Sequence, residues 1–245
     1  MEWNIASPAS IDAGQLDSAI DVWRLDLEEL APHEDRFAEL LSPTEWERAS
    51  RFVRSEDRRR FSICRGALRT LLANYLQTEP RSIALEVAPH GKPYLAKLQN
   101  KKEIEFNLSH SGELALAAFG RRGPIGVDLE RIRLDVDELD LADRYFSPAE
   151  IVELREVQNS FRRLGFFNCW TRKEAYVKAH GEGLSIPLAS FSVSLAPGQA
   201  AKLLAPDSAA WRIFQIAPGQ GFTGAVVTQA NPSALSLWNY SLQRP

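Results

Sequence analysis

The sequence predicts an α+β protein built as a duplicated unit, and three observations carry that expectation. A Ser-Pro-x-Glu turn occurs at Ser42–Glu45 and again at Ser147–Glu150. Each turn opens a helical segment that runs into a longer one. Strand-length segments follow in both cases. The repeated order places the joint near Arg121–Gly126, with an N-terminal half over residues 1–122 and a C-terminal half over residues 123–245. A chain of 245 residues is long enough for such a pair.

Taken in order, Ala19–Leu27 alternates apolar and polar residues and reads as a strand. Residues 42–76 read as two helices broken near Ser55. Ser42 is a good N-cap, Pro43 suits the first helical position and Glu45 completes a capping box. Phe52, Phe61, Leu68, Leu72 and Leu76 supply the helical apolar recurrence. Residues 82–96 read as a short strand, a Pro/Gly turn and an extended piece. Residues 104–120 read as strand, polar turn, strand, and residues 124–133 as another strand. The pattern then restarts, with a capped helix over Phe146–Val157 and a long one over Ser160–His180. Strands at 191–195, 210–217, 224–229 and 235–242 close the second half.

Composition narrows the function classes. Apolar residues make up 44% of the chain and charged ones 25%, as in an ordinary globular protein. A net charge of -3 and a pI of about 5.9 give no global pull toward nucleic acid or membrane. Cys64 and Cys169 have no ligand-like spacing and fit a reducing compartment. No signal sequence is read at the N-terminus and no apolar run is long enough to span a bilayer, so a cytoplasmic protein is expected.

Four groups of residues carry possible chemistry. On a strand, Asp128 and Glu130 share one face, opposite Ile125, Val127 and Leu129. Two carboxylates that close suit a hard cation such as Mg²⁺, and suit equally an exposed strand face answered by Arg131 or Arg133. On a helix, Trp170, Glu174 and Lys178 share a face. Glu174 and Lys178 would be a weak surface salt bridge if exposed, and something stronger if Trp170 and Tyr176 crowd water away. His110, between Ser109 and Ser111, sits in a turn whose hydroxyls, imidazole and amides can donate to phosphate, or it is simply a solvated turn histidine. Arg48, Arg51, Arg54, Arg58, Arg59, Arg60, Arg65 and Arg69 line a helical stretch in which interleaved acids offer ordinary intrahelical partners. Lys92 adds a cation on a Gly-Pro turn. Together these are the parts of a Mg²⁺–diphosphate site, and the absence of P-loop and G-x-G-x-x-G motifs rules out the two common nucleotide folds.

The segments GKPYL, FNLSHS, IGVDLE, FSPAE and CWTRKEAYVKAHGEGLSIPL, in this order and at these separations, resemble the 4′-phosphopantetheinyl transferases. The similarity is to their larger, monomeric class and covers about residues 40–195. It implies a pseudo-dimer of two similar α+β halves with coenzyme A bound in the cleft between them. It implies transfer of phosphopantetheine from coenzyme A to a serine of an apo acyl or peptidyl carrier protein, with adenosine 3′,5′-bisphosphate released. Fatty-acid, polyketide or nonribosomal-peptide synthases are the implied beneficiaries.

Residue by residue, the resemblance makes Asp128, Glu130 and Glu174 ligands of Mg²⁺, with Mn²⁺ an alternative ion. Lys178 contacts the diphosphate, and Glu174 and Lys178 are the catalytic pair. Ser109, His110, Lys92 and Arg48 contact phosphates or the nucleotide. Where the family has a second cation for the 3′-phosphate, three residues before Arg48, this chain has Glu45, and Arg51 is the substitute the sequence offers. Expected partners are carrier proteins and coenzyme A, with no nucleic acid and no membrane. The rival readings are an inactive scaffold that binds carriers without transfer, and a nucleic-acid-binding module using the arginine-rich helix.

Overall fold

The computed structural model describes residues 2–8, 13–205 and 207–242. Of the N-terminal stretch read as lacking a signal sequence, residues 1 and 9–12 lie outside the described residues. The first part of the chain forms β1 (Asn4–Ala6), β2 (Ala19–Asp26), α1 (Leu27–Leu30), α2 (Glu34–Ala38), α3 (Pro43–Ser50) and α4 (Ser55–Leu76). The short hairpin β3 (Leu85–Val87) and β4 (Pro93–Leu95) follows, then β5 (Ile104–Ser111) and β6 (Leu114–Arg121). The second part runs β7 (Ile125–Arg131), α5 (Glu138–Tyr145), α6 (Pro148–Glu156), α7 (Asn159–His180), β8 (Ser192–Val193), β9 (Leu203–Leu204), β10 (Arg212–Ile216), β11 (Phe222–Thr228) and β12 (Ala234–Tyr240).

Both Ser-Pro-x-Glu turns are complete capping boxes. The Glu45 amide donates to Ser42 Oγ at 3.3 Å and the Ser42 amide to Glu45 Oε2 at 2.8 Å. Ser147 and Glu150 repeat the same pair at the same distances. The long helices α4 and α7 have 22 residues each and end on left-handed residues, Gln77 and Gly181. At Gly181, φ is 78°, a conformation that costs glycine nothing.

Two sheets lie between the long helices. One is five-stranded, in the order β1-β12-β2-β6-β5, and the other three-stranded, β10-β11-β7. Strand periodicity sorts the cores. On β6, Ala115, Ala117 and Phe119 join α4 residues such as Leu68, Leu71 and Leu72. Leu114, Leu116 and Ala118 face the other way and meet Ile125, Val127 and Leu129 of β7. Val226 of β11 joins that middle layer, while Ala225 and Val227 turn to α7. The order is therefore helix, sheet, sheet, helix.

Most elements match the expectations, but His110, expected in a turn, lies within β5, and the largest departure is a long-range one. Strand β12 does not stay with the C-terminal strands. It inserts between β1 and β2 of the first sheet, parallel to both. Its side chains explain the choice: Trp238 stacks on Trp23 at 5.9 Å and its indole N–H reaches Asp21 at 3.2 Å. Asp21 is buried and also accepts the Tyr75 hydroxyl of α4 at 2.7 Å. Helices α1, α2 and α5 and strands β1 and β9 are short elements that the sequence pattern did not predict. Among the described residues no helix is long and apolar enough to cross a membrane.

Candidate active site

The site forms where β5 passes beside β7. These strands share no backbone ladder, so the free edge of β7 must find other partners. Alternate side chains of β5 supply them. Asn107 Oδ1 accepts the Val127 amide at 2.9 Å, and Ser111 Oγ accepts the Arg131 amide at 3.1 Å. Between them, Ser109 Oγ donates to Asp128 Oδ1 at 2.9 Å. Ser111 Oγ donates to Glu130 Oε2 at 2.7 Å. The two carboxylates predicted from IGVDLE thus stand at the joint between the sheets, oriented by β5 hydroxyls.

The opposite wall is α7. Gly126 lets it come close: a Cβ there would stand 2.1 Å from the Ala175 oxygen and 2.4 Å from the Ala179 nitrogen. That approach brings Lys178 to Asp128. Lys178 Nζ lies 2.6 Å from Asp128 Oδ1 and 3.0 Å from Ser109 Oγ. Asp128 Oδ2 is buried with no hydrogen-bond partner.

Electrostatics mark the same place. Burial pushes the Glu174 carboxyl above its ordinary value, and repulsion from Asp128 and Glu130 adds to this while Lys178 opposes it. Burial also raises Glu130; the Ser111 bond opposes that and the Asp128 charge reinforces it. Burial lowers His110, with Lys178 and Arg60 pushing the same way, so the imidazole resists protonation.

The three carboxyl groups are electrostatic neighbours, but among the described residues no set of three or more His, Cys, Asp or Glu side chains converges closely enough to hold an ion. The donor chemistry still fits Mg²⁺. All candidate ligands are carboxylate oxygens, the unpartnered Asp128 Oδ2 is available, and Mg²⁺ takes only one or two carboxylates beside substrate phosphates.

The remaining predicted residues fall in different places. Arg48 lies over the Phe61 ring at 5.4 Å and lines a cavity of about 190 Å³ together with His110 and Pro93. Arg51 is exposed and paired with Glu47, outside that cavity. The Lys92 ammonium donates to the backbone oxygens of Ile125 and Lys178, at 2.9 Å each. It therefore ties the β3–β4 turn to β7 and to the last turn of α7, where helical carbonyls lack internal partners. Trp170 stacks on Phe166 at 6.0 Å and meets Tyr145 edge-on, whereas Tyr176 turns away to Asp207. Sequence reasoning missed the orienting roles of Asn107 and Ser111. The signal was their period-2 spacing with Ser109 along a strand.

Comparison with known proteins identifies the family. The family model described as the 4′-phosphopantetheinyl transferase superfamily matches residues 124–228, and the model for the N-terminal part of a 4′-phosphopantetheinyl transferase matches residues 29–120. The 4′-phosphopantetheinyl transferase HetI of a Nostoc species is 36% identical over 225 residues, covering 92% of this chain and 94% of its own. A Bacillus subtilis 4′-phosphopantetheinyl transferase is 34% identical over 177 residues, or 72% of this chain and 76% of its own. The Bacillus subtilis enzyme Sfp is 29% identical over 209 residues, covering 84% of this chain and 91% of its own. This chain belongs to the 4′-phosphopantetheinyl transferase family and is an enzyme of that class.

Proposed function

We propose that the protein transfers 4′-phosphopantetheine from coenzyme A to a serine hydroxyl of an apo acyl or peptidyl carrier protein, in a Mg²⁺-dependent reaction that releases adenosine 3′,5′-bisphosphate. The observation that carries this reading is the cluster of Asp128, Glu130, Glu174 and Lys178 where β7 meets α7. The cleft between residues 1–122 and 123–245 is the proposed binding place for coenzyme A. Asp128, Glu130 and Glu174 would hold the ion, which when bound neutralises diphosphate charge and makes the transferred phosphorus more electrophilic.

The protein's own groups do the rest. Ser109 and Ser111 fix the carboxylates of Asp128 and Glu130. Lys178 supplies positive charge where the nucleotide departs. Glu174, with its raised proton affinity, accepts the proton of the attacking serine. The bond from serine oxygen to phosphorus forms as the bond from that phosphorus to the bridging oxygen of the nucleotide breaks. Positioning and charge stabilisation supply most of the acceleration. A monomer suffices for this reaction, because one chain contributes every residue of the cluster.

The test is release of adenosine 3′,5′-bisphosphate from coenzyme A, followed by chromatography. Release that requires both an apo carrier protein and Mg²⁺ is expected. Carrier binding without any release would identify the protein as a scaffold and defeat the proposal.

A further inference from the structure

A buried polar chain runs between α7 and the three-stranded sheet, and no step of the reaction uses it. It starts at Arg172, which is 1% exposed. Arg172 Nη1 donates to the backbone oxygen of Ser194, just after β8. Its Nε and Nη2 donate to Gln215 Oε1 of β10, at 2.9 and 2.6 Å. Gln215 Nε2 donates to Thr223 Oγ1 of β11 at 2.6 Å and to the Gly224 oxygen at 3.0 Å. The Thr223 hydroxyl donates to Asn168 Oδ1 at 2.7 Å, which returns the chain to α7 one turn before Arg172. Asn168 and Thr223 are buried as well.

Such a chain is costly. Among the described residues no carboxylate forms an ion pair with Arg172, and burial lowers its pKa only to about 10, so it stays charged at neutral pH. Apolar packing in its place is often at least as stable as a buried charge. What apolar packing lacks is direction, because hydrogen bonds weaken steeply as their angles open. The chain also ends beside the reacting groups. Thr223 is the register partner of Glu130, and Gln215 pairs with Ala225, whose other partner is Asp128. Thr223 and Glu130 share the face of the sheet toward α7. Glu174 comes two residues after Arg172, about 200° round the helix. A roll of α7 that breaks the chain therefore also swings Glu174 against Asp128 and Glu130.

We infer that Arg172, Gln215, Thr223 and Asn168 are positioning residues that hold the roll of α7 on the three-stranded sheet and so place Glu174 against Asp128 and Glu130. The inference rests on the transfer reaction proposed above, with Glu174 as proton acceptor. The four act through the helix that carries Glu174 and Lys178. Contact with Gly126 sets how near α7 comes, and the polar chain sets how it is turned.

The test compares kcat and KM for coenzyme A, with apo carrier protein and Mg²⁺ saturating. It uses wild type, Glu174→Gln, Thr223→Val, Thr223→Ser and the double variant Arg172→Met with Gln215→Met. Melting curves choose a temperature at which each is folded. Thr223→Val keeps the shape of the side chain and loses its hydroxyl. The double variant removes donor and acceptor together, so neither strands the other in the core. We expect kcat to fall about tenfold in Thr223→Val and on the order of 10²-fold in the double variant, the scale of a 1 Å misplacement. KM should stay within about twofold, as for groups that act on the transition state alone. Thr223→Ser restores the hydroxyl and should recover most of the loss. A native kcat in either folded variant, whatever its stability, would assign the chain a purely structural role and overturn the inference. A loss in Thr223→Ser equal to that in Thr223→Val would do the same. If the double variant does not fold, the Thr223 pair decides alone. Native turnover by Glu174→Gln would remove the proton acceptor and the inference with it, leaving the transfer reaction standing. A wild type that transfers nothing would remove both.

Discussion

The turns at Ser42–Glu45 and Ser147–Glu150 begin as the same object and end with different tasks. Both are capping boxes with matching hydrogen-bond lengths. Beyond the cap they diverge. Glu150 is 1% exposed, pairs with the fully buried Lys173 at 2.8 Å and accepts the Val193 amide at 2.7 Å. Lys173 completes a closed network through the carbonyls of Leu188 and Phe191. Glu45 faces two arginines, of which Arg65 lines a cavity and is only partly answered. A charge that is fully satisfied locks the fold, while a charge left partly unsatisfied is available to a ligand. Lys173 and Lys178, five residues apart on α7, differ in the same way: one is sealed in the core and the other stands at the carboxylates.

Variants can break this contrast. The largest expected effects separate the two lysines. Lys173→Met strands the Glu150 carboxylate in the core and should cost about 3–5 kcal/mol in a denaturant titration. Lys178→Met should fold but lose on the order of 10²–10³ in kcat, the scale for removing one group that stabilises developing charge. Similar stability losses in both variants, with kcat unchanged in Lys178→Met, would erase the distinction.

Gly126→Ala comes next. The added methyl meets backbone of α7, which cannot step aside, so overpacking of about 1–3 kcal/mol is expected together with a loss of activity as β7 and α7 separate. A variant with native melting temperature and native kcat would show that the close approach is unnecessary. Lys92→Met leaves two backbone oxygens without their donor, at a cost of about 1–3 kcal/mol. Melting temperature reads that loss, and coenzyme A binding reads whether the ammonium also touches the nucleotide.

The smallest effect is one of pH. Burial lowers the His110 pKa from its ordinary 6.5, so the folded state binds its proton less readily than the unfolded chain. Its contribution is complete above 6.5 and is lost as pH falls through that value toward the folded one. His110→Gln should therefore flatten stability across that window. The raised carboxyls of Glu130 and Glu174 act with the opposite sign at lower pH, because their folded forms hold protons more readily. An unchanged stability profile in His110→Gln would show that the imidazole titrates as it does in water.

Much of the site was legible because its signals are local. Capping boxes are written within four residues, and the facing of Asp128 and Glu130 follows from strand alternation. Glu174 and Lys178 share a face because helices repeat. What stayed hidden depends on which distant segment arrives. No local pattern tells β12 to pair with β2, or Lys92 to reach carbonyls on both β7 and α7. Arg65 looked like one more member of a solvated charge run, since only the folded chain shows Glu45 turned toward it. The closeness of Gly126 to α7 appears only in three dimensions.

The most direct measurement is the intact mass of an apo carrier protein after incubation with coenzyme A, Mg²⁺ and either wild type or Glu174→Gln. Wild type should add one phosphopantetheine, abolished by EDTA, and Glu174→Gln should add little or none while remaining folded. Conversion of the carrier by Glu174→Gln at the wild-type rate, or by wild type in EDTA, would contradict the assignment of the chemistry to this face of α7.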